Sequence, residues 1–212
     1  SGWTSRSEYL KEVSKKELLE KSGATTTIFN GLVDKGIFEV YYQEIGRLNK
    51  SDVATFELNA LNPSQQGAFS AILESFQQKN VCLLHGVTSS GKTEIYIHLI
   101  QEALKQGKQV LYLLPEIALT TQITERLKRV FGKRLGVYHS KFPDAERVEI
   151  WKKQLGDEEY DVILGVRSSI FLPFKRLGLV IVDEEHENTY KQQDPAPRYH
   201  ARSSAIMLAS MY

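Results

Sequence analysis

Residues 86–93 read Gly86-Val-Thr-Ser-Ser-Gly91-Lys92-Thr93, directly after the apolar run Val81-Cys-Leu-Leu84. The spacing is G-x-x-x-x-G-K-[ST], and it occurs in the required context of a predicted strand, a loop and a helix. The two glycines let backbone N–H groups point inward at phosphate oxygens, and the following helix start adds partial positive charge. This stretch predicts an α/β domain that binds the phosphates of a nucleotide.

The side chains of this phosphate-binding loop (the P-loop, residues 86–93) have separate expected roles. The Lys92 ammonium is long enough to reach the β- and γ-phosphates, and the Thr93 hydroxyl is a ligand for Mg²⁺. The residues expected to contact the phosphates are Gly86, Thr88, Ser89, Ser90, Gly91, Lys92 and Thr93.

Composition limits the remaining possibilities. The 212 residues are enough for one large α/β domain and a small satellite domain, and the net charge of +1 argues neither for nor against a nucleic-acid partner. The single cysteine, Cys82, excludes a disulfide framework and is expected to be a small buried hydrophobe. Because no apolar stretch approaches the length of a membrane span, we expect a cytoplasmic protein without membrane partners.

Two blocks follow one another along the chain. In residues 1–50 a capping box at Ser14–Glu17, a second helix near Thr25–Lys35 and a strand at Ile37–Tyr42 predict a winged-helix-like domain. Residues 51–60 are interpreted as a linker. In residues 61–212, strands alternate with helices, which predicts a RecA-like, doubly wound parallel sheet. The predicted strands are Val81–Leu84, Gln109–Leu114, Leu135–Tyr138, Asp161–Leu164 and Leu179–Val182, and the predicted helices after Asn62 include 94–105, 118–131 and 144–155. Apolar residues recur at helical spacing and predict buried stripes. These stripes include Ile28 and Phe29 in the helix near Thr25–Lys35, Phe76 in the helix after Asn62, and Leu99, Ile100 and Leu104 after the P-loop.

A second motif completes the predicted nucleotide site. The strand Leu179–Val182 ends in Asp183-Glu184-Glu185-His186. Such a strand delivers Asp183 to the sheet edge where phosphate loops lie, where it would hold Mg²⁺. Glu184 is placed to orient and deprotonate an attacking water. The alternative, a solvated acidic turn, is disfavoured downstream of a P-loop, so the two motifs together predict nucleoside triphosphate hydrolysis.

The chain resembles the PriA (primosomal protein N′) family of replication-restart DNA helicases in superfamily two, over about residues 61–207. The most specific shared sequences are Tyr190-Lys-Gln-Gln193 and Arg198-Tyr-His-Ala-Arg202. The other matching segments are 61–65, 86–93, 114–122, 137–140, 165–175 and 183–193.

The resemblance implies ATP and Mg²⁺ as cofactors and assigns further residues. Gln65 corresponds to an adenine-reading glutamine, although Asn62-Pro-Ser-Gln65 is also a helix-capping sequence. One implied set of DNA-backbone contacts is Thr120, Thr121, Gln122, Arg167 and Ser168, for which helix capping and an ordinary surface arginine are the alternatives.

The segment from Tyr190 to Arg202 resembles the family's aromatic-rich loop, which couples DNA occupancy to hydrolysis. Tyr190 and Tyr199 would stack on bases. His186 would relay the coupling, with a partly buried histidine beside an acid as its alternative. The implied backbone cations of the loop are Lys191, Arg198 and Arg202.

The resemblance also implies partners and missing parts. The expected partners are single-stranded and forked DNA, primosome proteins and other replication-restart proteins, in a nucleoid-associated setting. No second helicase lobe matches, so we expect a fragment that binds ATP but hydrolyses it poorly, with zinc only in the missing part. Two alternatives are a regulatory module with a vestigial P-loop and another superfamily-two translocase. A third, a small-molecule phosphotransferase, is disfavoured by Glu184 beside Asp183.

Overall fold

The computed structural model describes residues 15–38, 58–87, 90–140 and 142–212. It divides into two compact units, residues 1–51 and 52–212. In the first unit, helix α1 spans Lys15–Ser22 and helix α2 spans Thr26–Asp34. Phe29 is the buried residue of α2, whereas Ile28, predicted to share its apolar stripe, is exposed. Residues 39–42 of the predicted strand lie outside the described residues, as does most of the predicted linker.

The second unit is a parallel four-stranded sheet with helices on both faces. The strands are β1 (Gln109–Leu113), β2 (Leu135–Tyr138), β3 (Val162–Gly165) and β4 (Leu177–Val182). They lie in the order β2-β3-β1-β4, and every pairing is parallel, which confirms the predicted α/β class. The helices are α3 (Pro63–Phe76), α4 (Lys92–Lys105), α5 (Thr121–Phe131), α6 (Asp144–Leu155) and α7 (Ala201–Ala209).

All five residues of strand β1 are buried. Successive side chains point to opposite sides of the sheet, so both faces of the strand are covered. Val110 and Tyr112 pack into the cluster formed with α4 and α5. Leu111 and Leu113 pack into a second cluster that includes Ala201 and Ala205 of α7. Strand β1 therefore has the continuous burial of a parallel strand that is covered by helices on both faces.

The predicted strand at Val81–Leu84 is wrong. The segment has no strand partner within the described residues, and its side chains alternate between an outer, exposed set and an inner, half-buried set. Cys82 and Leu84 pack against the core, whereas Val81 and Leu83 are 55% and 70% exposed. A groove of about 1270 Å³ separates the segment from the outer edge of β4. Backbone hydrogen bonds cannot span that gap, so the N–H and C=O groups of residues 81–84 do not pair with those of β4.

Three smaller predictions also change. The helix predicted from residue 118 begins at Thr121, because Thr120 is its N-cap and accepts a hydrogen bond from the Ile123 N–H at 3.4 Å. Phe76, expected on the buried stripe of α3, is partly exposed at the groove. Cys82 is free and half-buried rather than fully buried.

None of the helices in the described ranges combines the length and hydropathy needed to cross a bilayer.

Candidate functional site

Within the P-loop, Gly91 is the N-cap of α4, and Lys92 and Thr93 are the first two residues of that helix. Gly91 has φ +81°, in the left-handed region that favours glycine. A Cβ built there would lie 2.3 Å from Nε2 of Gln65, so a side chain at this position would have to displace the end of the Gln65 side chain. Thr88 and Ser89, two of the predicted phosphate contacts, lie outside the described residues. Ser90 lies close to Gly86, since a Cβ built on Gly86 would be 3.1 Å from Oγ of Ser90.

Gln65 joins the start of α3 to the P-loop. Its Oε1 accepts a hydrogen bond from Asn62 N–H at 2.9 Å, and its own N–H donates to the Asn62 side chain at 2.9 Å. This reciprocal pair is a capping box, so the capping alternative is confirmed. The Nε2 group donates to the Gly91 carbonyl at 3.2 Å. Adenine recognition by Gln65 stays a prediction, but the side chain does reach the nucleotide loop.

Lys92 connects the two predicted nucleotide motifs. Its Nζ donates to the Gly86 carbonyl at 3.0 Å and lies 3.5 Å from Oε1 of Glu184. The Lys92 side chain is only 17% exposed, which weakens screening by water. The first turn of α4 and the end of β4 therefore place a cation and a carboxylate side by side, although they are 92 positions apart in sequence.

Asp183 follows β4 and is held by two tyrosine hydroxyls. Tyr112 of β1 donates to Oδ2 at 3.0 Å, and Tyr96 of α4 donates to Oδ1 at 3.4 Å. Burial raises the pKa of the Asp183 carboxyl, and the hydrogen bond from Tyr112 opposes that shift. Burial followed by the Asp183 charge raises the pKa of both tyrosines, so both remain neutral donors. The sequence motif did not reveal either tyrosine.

Glu184 has a strained backbone. Its φ is +47°, the only positive value among the described residues other than glycine. A non-glycine residue in this region is held there by its surroundings, and such residues cluster at functional sites. Here the Glu184 N–H donates to Oδ1 of Asp183 at 3.0 Å, which ties the turn to the neighbouring carboxylate. The turn aims the Glu184 side chain at Lys92.

The residues present fit a magnesium–nucleotide complex. Mg²⁺ prefers oxygen ligands and is commonly held by one or two carboxylates together with substrate phosphates and water. Asp183 supplies an anchored carboxylate, and Thr93 supplies a hydroxyl in the first turn of α4, where it is half-buried. Lys92 supplies a cation for the phosphates. These residue roles remain predictions.

The stacking role predicted for Tyr190 is wrong, because its ring is fully buried. Its hydroxyl lies 2.6 Å from the Asp183 carbonyl, to which it donates, and 3.1 Å from the Leu113 carbonyl. The ring belongs to the cluster beneath α7. Tyr190 thus anchors the start of the predicted DNA loop to the end of β4, where a base has no access.

Arg167 is also committed to protein contacts. Its guanidinium donates to the backbone carbonyls of Thr189 and Lys191, both at 3.1 Å. Arg167 therefore braces the predicted DNA loop, and Ser168 beside it is half-buried. A direct Arg167 contact with DNA stays a prediction. Of the other predicted backbone contacts, Thr120 caps α5, and the remaining two are exposed, namely Thr121 and Gln122.

An aromatic pair in the same region joins a half-buried ring to an exposed one. The Tyr199 ring packs edge-to-face on Phe171, with centroids 4.9 Å apart and planes at 74°. Phe171 is 55% exposed, so its ring is accessible as a stacking surface. Phe171 was not among the residues predicted to contact DNA. The signal was present, because this aromatic residue follows the predicted DNA-contacting Arg167 by four positions.

The cations of the predicted loop differ in their environments. Lys191 is exposed and forms a backbone bridge with His200. Arg198 pairs with Asp194 at 3.4 Å, and both side chains are largely exposed. Arg202 instead pairs with Glu185, and both line the groove beside β4. His186 is 69% exposed and lies 3.8 Å from Glu184, so it is not the partly buried histidine of the alternative.

Comparison with protein families decides the class. The DEAD/DEAH box helicase model matches residues 62–210. The chain belongs to the DEAD/DEAH box helicase family. The family model for the winged helix domain of PriA helicase in Bacteroidota matches residues 1–45. These matches confirm the helicase domain and the winged helix that were predicted from the sequence.

The similar curated proteins are replication restart proteins named PriA. The Bacillus subtilis protein is 40% identical over 197 residues, which cover 91% of this chain and 24% of the relative. The Chlamydia pneumoniae protein is 41% identical over 196 residues, which cover 90% of this chain and 26% of the relative. The predicted resemblance to PriA helicases is thus confirmed. The chain spans about a quarter of the length of these relatives.

Proposed function

We propose that residues 58–212 form an ATP-binding motor lobe whose hydrolysis is coupled to single-stranded DNA. The observation that carries the proposal is the approach of Lys92 to Glu184 at 3.5 Å, beside the anchored Asp183 carboxylate. A phosphate-binding cation, a metal-binding acid and a catalytic base are the parts that P-loop hydrolases need. A vestigial P-loop would not require a strained Glu184 aimed at Lys92.

In the proposed reaction, the P-loop N–H groups and Lys92 hold the β- and γ-phosphates of ATP. Thr93 and Asp183 would hold Mg²⁺, and the ion would supply positive charge to neutralise the phosphates. Glu184 accepts a proton from the attacking water. P-loop hydrolases use an arginine to stabilise the charge of the transition state. Arg202 lines the same groove but is already paired with Glu185, so it is not free for this role. We therefore expect the chain by itself to bind ATP and to hydrolyse it slowly.

For DNA, we propose that a base stacks on the exposed edge of the Tyr199–Phe171 pair. Stacking tolerates any base and is worth about 1–3 kcal/mol per base, which suits a translocating motor. Lys191 is exposed nearby in the chain and supplies a cation for the sugar–phosphate backbone. The brace from Arg167 to the Thr189 and Lys191 carbonyls sets the position of this loop.

For the longer protein, we propose an ATP-dependent DNA helicase that restarts stalled replication forks. Its substrates would be single-stranded and forked DNA, and its partners would be primosome and replication-restart proteins. Support comes from the PriA names of the similar relatives and from the winged-helix match. The activity requires parts of the relatives beyond the quarter of their length that this chain spans.

The nucleotide proposal is tested by measuring the affinity of a fluorescent ATP analogue in Mg²⁺. Lys92→Ala should weaken binding at least about tenfold, because it removes the phosphate cation from a poorly solvated site. The matched control is Lys105→Ala, at the exposed end of the same helix, where the ammonium pairs with Glu102 at 3.1 Å. Equal affinity of the two variants would contradict the proposal and favour a vestigial P-loop.

Hydrolysis needs a separate measurement. Glu184→Gln should retain binding of the ATP analogue and lose the residual phosphate release, because the amide cannot accept the water proton. Phosphate release is measured with and without single-stranded DNA. Unchanged release by this variant would assign the base to another residue.

A further inference from the structure

The Asp183 carboxylate has three donors directed at its two oxygens. The Oδ1 atom accepts from the Tyr96 hydroxyl at 3.4 Å and from the Glu184 N–H at 3.0 Å. The Oδ2 atom accepts from the Tyr112 hydroxyl at 3.0 Å. These donors come from α4, from the turn after β4 and from β1, so three different parts of the fold converge on one side chain.

The two oxygens of the Asp183 carboxylate differ in the number of donors that they accept from. An ionised carboxylate has about four lone-pair sites, two on each oxygen. Both sites on Oδ1 are directed to donors, whereas Oδ2 has one donor and one remaining site. The remaining acceptor site of the carboxylate is therefore on Oδ2, the oxygen that Tyr112 holds.

The tyrosines are themselves held rigidly. Tyr112 is fully buried in β1, and Tyr96 is 8% exposed. Their rings pack edge-to-face with centroids 5.6 Å apart and planes at 73°. The ring packing fixes where each hydroxyl points. Among the hydrogen bonds of the described residues, each of these two hydroxyls donates only to the Asp183 carboxylate.

We propose that Tyr112, supported by Tyr96, is a positioning residue that orients the Asp183 carboxylate and reserves its Oδ2 atom for Mg²⁺. The inference rests on the proposed ATP-binding function. Outer partners of metal ligands fix ligand orientation, and their loss costs about 10–100-fold in metal affinity. Tyr112 acts on the metal-facing oxygen, so its hydroxyl should matter more than that of Tyr96.

The test measures affinity for a fluorescent ATP analogue in Mg²⁺ and in EDTA, and Mn²⁺ binding to the protein–ADP complex by electron paramagnetic resonance. Tyr112→Phe should raise the Mn²⁺ concentration for half-saturation about tenfold and leave the EDTA affinity within about twofold. Tyr96→Phe should shift the Mn²⁺ midpoint in the same direction by a smaller factor. The control is Tyr160→Phe, whose ring packs against Lys153 rather than at the site.

The outcomes separate this inference from the proposed function. If the unsubstituted chain shows no Mg²⁺-dependent nucleotide binding, the proposed function fails and the inference fails with it. If that binding is present but Tyr112→Phe matches Tyr160→Phe in its Mn²⁺ midpoint, only the inference is overturned. A Tyr112→Phe protein that loses affinity equally in Mg²⁺ and EDTA also overturns it, since that result marks a general packing role. If Tyr112→Phe does not fold, Tyr96→Phe decides by the same criterion.

Discussion

Replacing Gly91 by alanine tests the geometry of the P-loop most directly. The substitution places a side chain at φ +81° and puts its Cβ 2.3 Å from Nε2 of Gln65. The left-handed backbone costs about 1–2 kcal/mol for a non-glycine residue. Displacing Gln65 also breaks its hydrogen bond to the Gly91 carbonyl, which is worth about 1 kcal/mol. We therefore expect Gly91→Ala to lower the free energy of unfolding by about 2–3 kcal/mol.

The matched control is Gly107→Ala. Gly107 has φ +71°, but a Cβ there meets nothing within 4 Å, so this variant carries the backbone strain alone. It should lose about 1–2 kcal/mol. Urea unfolding followed by far-UV circular dichroism compares the two variants, and both positions lie in the same compact unit.

A double-mutant cycle with Gln65→Ala isolates the contact itself. With Gln65 shortened, Gly91→Ala should cost about 1 kcal/mol less than it does alone, because the clash and the hydrogen bond are both absent. Equal destabilisation by Gly91→Ala and Gly107→Ala, together with strict additivity in the cycle, would refute the reasoning. In either background, Gly91→Ala should also weaken binding of the ATP analogue, since the strained turn shapes the phosphate cradle.

Two further predictions concern the core and the DNA surface. Gln109→Leu should cost about 3–5 kcal/mol in urea unfolding, because this fully buried amide satisfies three backbone groups, whereas Gln66→Leu on an exposed helix face should stay within about 0.5 kcal/mol. Similar losses in both variants would remove the buried-network argument. Phe171→Ala should weaken binding of single-stranded oligonucleotides, measured by fluorescence anisotropy, by about 1–3 kcal/mol through lost stacking. The partly exposed Phe76 provides a control substitution, Phe76→Ala, and equal affinity of the two variants would exclude Phe171 from the DNA path.

Local patterns predicted the helices and most strands well. The stripe on α4 is one example, since Leu99, Ile100 and Leu104 recur at helical spacing and are all buried. Strand β1 is another, because the strand predicted at Gln109–Leu114 forms over Gln109–Leu113. These features follow from near neighbours in sequence, where periodicity reports burial directly.

Pairing with distant residues was harder to predict. Val81–Leu84 has the composition of a strand, yet a strand exists only where another backbone accepts its hydrogen bonds, and here a groove lies between it and β4. Tyr190 has an aromatic ring that could stack on a base, yet the fold buries this ring, and its hydroxyl donates a hydrogen bond to the Asp183 carbonyl at the end of β4. Composition describes what a side chain is able to do, and its neighbours decide what it does.

The sequence by itself was enough to predict the nucleotide site that we propose for this protein, because the P-loop and the Asp183-Glu184 pair are short contiguous motifs whose function depends on local backbone shape. It also determined the family, through segments that match over most of the second unit. Only the tertiary structure decided how these motifs meet. The parallel sheet brings Lys92 to Glu184 and places Tyr112 against Asp183, since strands distant in sequence end at one common edge. Hydrogen bonds between residues 71 positions apart leave no local pattern, so their partners become visible only when the chain is folded.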